Sequence, residues 1–147
     1  MDKEQMEEMG PVDYVVLEWP REQPKGDVVP MILDLVERGT IRLLDIAFVA
    51  KDADGDVAGL EMDALEGEAA KFTEFHGAST GLLDEQDLRE AANALEPGTS
   101  AAVLVWENSW AAPIARALRQ SGGQLVANGR IPVQAVLASL EATEAVR

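Results

Sequence analysis

Runs of apolar residues alternate along the chain with short polar breaks containing glycine or proline, and the period inside each run assigns its element. Val12 to Trp19 is rich in β-branched and aromatic residues and is closed by Pro20, the pattern of a strand. Asp27 is placed to cap a helix over Val28 to Arg38, with Pro30 in the first turn and Gly39 as a left-handed stop. Its apolar stripe is Val28, Ile32, Leu35 and Val36. Ile41 to Ala50 reads as a second strand. Asp54-Gly55, within Lys51 to Asp56, is a tight-turn signal that folds it onto a third strand, Val57 to Met62.

The stretch from Asp63 to Leu83 has no clear period, although Phe72 and Phe75 would share one side of a short helix. Asp84 then caps a helix from Glu85 to Leu95, with Leu88, Ala91, Ala92 and Leu95 at helical spacing. After the turn pair Pro97-Gly98, Thr99 to Trp106 forms an apolar fourth strand. Ser109 is placed to cap a helix running to Gln120, Gly122-Gly123 stops it, and Gln124 to Ala127 reads as a short fifth strand. Pro132 opens a last helix, Val133 to about Val146, with Val133, Val136, Leu137 and Leu140 on one face.

The order βαββαβ, then αβα, predicts an α+β fold: a ferredoxin-like antiparallel sheet with helices on one face, extended by the C-terminal αβα. Residues 1–10 are expected to be a disordered acidic tail, and residues 11–147 a single domain. Strands one, two and four are apolar on both faces, whereas a sheet covered on one side alternates. The second face therefore needs a cover. Either the C-terminal αβα supplies it or a second copy does, so a homodimer is expected.

Composition removes whole classes of chemistry. The net charge of −15, from 27 acidic and 12 basic residues, repels phosphate backbones and anionic headgroups, so neither nucleic acid nor membrane is expected as a partner. There is no cysteine and one histidine, His76, which excludes disulfides, thiolate sites and multi-histidine metal sites. No cofactor is expected. The N-terminus lacks a signal-peptide core and no window reaches the ~18 apolar residues of a membrane span, so a cytoplasmic location is expected.

Candidate sites are few. Asp52 to Asp56 places carboxylates at alternate positions, but the glycine and glutamate positions of a calcium loop hold Val57 and Asp63, so a hairpin tip is the better reading. Gly77 to Gly81 matches no phosphate-loop spacing. Ser79 or Ser100 as a nucleophile would need His76 as base. Asp13, Glu18, Asp45 and Glu107 interrupt apolar runs, where an isolated charge is costly; they either line a cleft or are paired, with Arg42 and Arg116 as available partners. Trp106 and Trp110 flank Glu107-Asn108-Ser109, and aromatics beside polar groups are common at binding surfaces. Trp106, Glu107, Asn108, Trp110 and His76 are thus the candidate binding residues, and no catalytic or metal-ligating set emerges.

Met9 to Pro20, Arg42 to Val49, Leu95 to Val105 and Ser121 to Pro132 resemble a family of small actinobacterial proteins known as a domain of unknown function. The chain is also distantly similar to a group of predicted membrane proteins with a glycine-rich hydrophobic middle connection, from which the charged connection Asp63 to Leu83 departs. The resemblance implies a compact α+β module and assigns no site. The function expected is non-catalytic: self-association and protein-partner binding, in a stress or regulatory setting. The alternative is a small-molecule binder or enzyme with a pocket on the sheet.

Overall fold

The computed structural model describes residues 8–20, 28–60, 65, 67 and 80–146. The chain divides after Ala117 into two compact units. The first contains strands β1 (Val12–Trp19), β2 (Arg42–Lys51), β3 (Val57–Leu60) and β4 (Thr99–Glu107), with helices α1 (Val28–Glu37) and α2 (Glu85–Asn93). A 3-10 turn, Ser109–Ala111, leads into α3 (Ala112–Gln120), which crosses the division, and the second unit continues to α4 (Val133–Val146).

The elements form where side-chain chemistry can close their ends. Gly39, at φ +73°, ends α1 by donating its amide to the Val36 carbonyl at 3.0 Å. The expected cap Asp27 lies outside the described residues. α2 opens with a capping box: Asp84 Oδ1 accepts from the Asp87 amide at 2.8 Å, and Asp87 Oδ2 accepts from the Asp84 amide at 3.0 Å. At the other end of α2 the Lys51 ammonium donates to the Ala92 and Leu95 carbonyls at 3.3 and 3.1 Å. A cation there satisfies orphan carbonyls and opposes the negative end of the helix dipole.

The sheet is antiparallel throughout, in the order β1-β4-β2-β3. This differs from the expected ferredoxin-like arrangement. β1 and β2 are parallel to each other and separated by one strand, as in a split βαβ, but β4 rather than β3 fills the gap, and β3 sits at the edge. The edge position follows from β4 pairing with both β1 and β2, which leaves β3 only its hairpin partner. Gly55, at φ +90°, and the Asp52 carboxylate, which accepts from the amides of Asp54 and Asp56 at 2.9 Å, fold β3 directly onto β2, leaving the other side of β2 open for β4.

β4 is consequently the core of the first unit, with every residue buried except the half-buried Trp106. Its two faces feed two clusters. Ala102 and Leu104 pack with Ile46, Phe48 and the α1 residues Val29 and Ile32. Ala101 and Val103 pack with Val49, Ala91 of α2 and Leu95 just beyond it. Because neighbouring strand residues point to opposite faces, α1 and α2 cover opposite sides of the sheet. The expectation of helices on one face, with a second copy or the C-terminal αβα over the other, is therefore corrected: each apolar face has its own helix from the first unit.

Two other expectations are revised. Gln124 to Ala127 forms no strand, and Leu125 and Val126 are 60% and 87% exposed. A short segment becomes a strand only when its amides and carbonyls meet a sheet edge, and no strand among the described residues pairs with this one. Ser109 begins the 3-10 turn rather than capping α3 through its side chain. Residues 1–7 of the expected tail, with Phe72, Phe75, His76 and Ser79, lie outside the described residues.

Two measurements test the two-sided packing. Leu104 is fully buried, and Leu104→Ala should lower the stability read from urea unfolding by about 2–5 kcal/mol. Tyr14, the sole tyrosine, shares the face of Val16, and its phenol is raised above the ordinary 10.0 by burial first and then by Asp87 and Glu90 of α2. A raised acid favours its neutral form, so this contribution to stability is complete below pH 10.0 and is lost as pH rises through the folded-state value. Tyr14 is itself about half exposed, so the shift from Glu90 is screened; Glu90→Gln should bring the tyrosinate absorbance titration down slightly, and an unchanged curve would refute a charge contribution from Glu90.

Candidate functional site

The candidate residues near Trp106 collect at the end of the sheet where β1 and β2 begin and β4 ends, with Val12 and Arg42 both opposite Glu107. Glu107 is the buried charge of this corner. Its Oε1 accepts from the Arg42 guanidinium at 2.8 Å and its Oε2 from the Gly10 amide at 2.8 Å. Pairing with a cation and an amide makes a buried carboxylate tolerable, and both its oxygens are thereby engaged.

Gly10 is buried and has no room for a side chain, since an added Cβ would collide with the Asn108 carbonyl oxygen. Asn108 extends the same clamp. Its backbone amide donates to the Pro11 carbonyl at 2.7 Å, and its Nδ2 donates to Pro11 O at 3.2 Å and Asp13 Oδ2 at 2.9 Å. Trp110 closes the corner through its amide, which donates to Thr40 O at 3.2 Å, and through Nε1, which donates to Asn108 Oδ1 at 3.3 Å. Its ring remains 61% exposed, whereas Trp106 packs against the α1-side cluster. The structure thus brings Glu107, Asn108 and Trp110 into one corner, while Trp106 packs into the α1-side cluster; His76 lies outside the described residues.

The remaining strand carboxylates also hold backbone. Glu18 Oε2 accepts from the Glu96 amide at 2.9 Å and the Thr99 hydroxyl at 3.0 Å, pinning the turn that leads into β4. Asp45, only 2% exposed, accepts from the amides of Ile46 at 2.8 Å, Thr80 at 3.0 Å and Leu83 at 2.7 Å. It sits beside a register shift between Leu43 and Asp45, and the freed Leu44 carbonyl accepts from the Thr80 hydroxyl at 2.8 Å. This clamp on residues 80–83 had one signal in the sequence: a lone carboxylate in an apolar run must find donors, and the aperiodic connection that follows β3 supplies them.

Other groups offer little chemistry. The Ser100 hydroxyl is buried without a hydrogen-bond partner among the described residues. An open depression of about 330 Å³ lies at the opposite end of the sheet, lined by Ala50, Lys51, Asp52, Asp56, Val57, Ala58 and Leu60. Its Lys51 and Asp52 are already engaged by α2 and by the hairpin amides. Among the described residues no three acidic or histidine side chains gather as a metal site, and no helix is long and apolar enough to cross a membrane.

If these carboxylates are clamps, truncating one strands its donors. Asp45→Ala should cost about 3 kcal/mol in urea unfolding, because three amides lose their acceptor, with two of them in the connection before α2. Glu107→Ala should cost less, about 1–3 kcal/mol, since the Arg42 side chain is half exposed and can be rehydrated. Equal stability of either variant and the parent would refute the clamp.

No curated protein and no solved structure matches the chain. The sequence signature described as a family of unknown function, DUF6325, matches residues 8–146, and the chain belongs to that family.

Proposed function

We propose that the chain is a cytoplasmic, non-catalytic α+β module that acts through self-association and protein-partner binding. The observation that carries this reading is where exposed apolar residues fall. In the second unit Leu118, Leu125, Val126, Ile131, Val133, Val136, Leu137 and Leu140 are all exposed. Water-facing apolar surface at this density marks an interaction site, because each buried square ångström returns about 25 cal/mol.

The support does not come from the sheet, whose two faces are covered within the first unit. Nor does the tryptophan corner support a pocket, since the polar groups of Glu107 and Asn108 are occupied by internal bonds. What remains outward there is the Trp110 ring, which fits a protein contact better than a substrate site.

Sedimentation of the full chain from about 1 to about 100 µM, paired with crosslinking of the same protein in its native lysate, tests the reading. Growth in mass with concentration, or crosslinks to another protein, should map to residues 118–144. A chain that stays monomeric throughout and crosslinks to nothing through this unit would refute it.

A further inference from the structure

The chain has three asparagines, and the structure treats them differently. Asn93 is the last residue of α2, and the amide of its successor, Ala94, donates to the Ala91 carbonyl at 3.2 Å. Asn108 has both ends of its side chain engaged: Nδ2 donates to Pro11 O and Asp13 Oδ2, and Oδ1 accepts from the Trp110 indole. Asn128 is exposed and lies in a stretch, Gly123 to Pro132, without helix, strand or turn. Neither it nor the Gly129 amide that follows takes a hydrogen bond among the described residues. Gly129 has no positive φ, so the pair is not held in the tight turn that Asn-Gly can form.

This combination has chemical consequences. A backbone nitrogen can attack the side-chain carbonyl of the asparagine before it, and glycine is the best successor. It has no Cβ to crowd the nitrogen and reaches the backbone angles that the attack needs. A nitrogen or carboxamide that is hydrogen-bonded must first be freed. Asp54-Gly55, the comparable acidic pair, shows the contrast: the Gly55 amide donates to Asp52 O at 3.0 Å and the Asp54 amide to the Asp52 carboxylate at 2.9 Å.

We infer that Asn128-Gly129 is a site of spontaneous deamidation in the folded protein. The Gly129 nitrogen gives up its proton and bonds to Asn128 Cγ; the Cγ–Nδ2 bond breaks and ammonia leaves with that proton. The resulting cyclic imide takes up one water. Opening at Cγ restores the backbone and leaves aspartate, whereas opening at the Asn128 main-chain carbonyl leaves isoaspartate, with the chain running through the former side chain. No oxidant, reductant or cofactor enters. Either product puts a carboxylate where a neutral amide stood. Residues 118–147, with Arg119, Arg130 and Arg147 against Glu141 and Glu144, go from a net +1 to neutral. The isoaspartate form also adds one carbon to the backbone ahead of α4. The change accumulates with the age of the molecule and alters the charge of the second unit without touching the core of the first.

Peptide mapping by mass spectrometry, on the full chain held in neutral and then mildly alkaline buffer, reads each asparagine separately. Asn128 should convert about tenfold or more faster than Asn93 and Asn108, whose hydrogen-bonded surroundings must open first, and should yield both an aspartate and an isoaspartate peptide. Its rate should rise with pH, because the attacking nitrogen must lose a proton. It should also match the rate of the chain unfolded in guanidinium to within about twofold, since nothing local protects it. Gly129→Ala should slow conversion by about tenfold through crowding at the nitrogen. That substitution leaves the fold intact, because nothing lies within 4 Å of the added Cβ. Asn128 still intact when Asn93 or Asn108 has converted would overturn the inference, as would a native rate about tenfold or more below the unfolded one. An unchanged rate in Gly129→Ala would rule out attack by this nitrogen.

Discussion

The first unit depends on one constraint: β4 is buried on both faces and flanked on both edges. Its small residues, Ala101 and Ala102, and its branched ones, Val103 and Leu104, leave no face that water can wet. A strand so placed demands a partner on each edge and a layer on each side, and β1, β2, α1 and α2 are those four covers. Interiors pack to near crystalline density, so none of the four can shift without opening a void beside β4.

Polar groups inside this sheet are subordinate to the same constraint. Asp45, Glu18 and Glu107 sit where connections approach the sheet, and each spends its oxygens on donors of the arriving segment. Lys51 does the converse for the end of α2. The charges that looked like candidates for chemistry are thus the means by which loops with unpaired amides come to rest against an apolar core. Asp45, with three amide donors, is the strongest of these anchors, because its lone pairs are committed to the arriving backbone.

The second unit follows another logic. From Leu118 onward the chain is nearly charge-neutral, its apolar residues face solvent, and its regular structure beyond the end of α3 is one helix. The first unit buries a core on both faces of its sheet and carries the acidic charge, with Met31, Leu82, Trp110 and Ile114 still exposed. In the second, Leu125, Val126, Ile131 and Val133 are exposed.

Much of the fold was legible in the sequence. Strand and helix periods located β1, β2, β4, α1, α2 and α4 to within about two residues, because side-chain spacing and caps such as Asp84 and Gly39 act over a single turn. Of the candidate residues, Glu107, Asn108 and Trp110 share one corner, while Trp106 packs into the α1-side cluster; the bonds of that corner to Gly10, Pro11 and Thr40 reach segments more than sixty residues away in sequence. Strand order was not legible, since a doubly apolar strand announces only that it is central, not which neighbours it takes. Local sequence determined the elements, their ends and the need to cover two faces. Tertiary structure alone decided that β4 enters between β1 and β2, that α1 and α2 take opposite faces, and that Gln124 to Ala127 stays unpaired, because each of these turns on long-range hydrogen bonding and burial that no short window of residues contains.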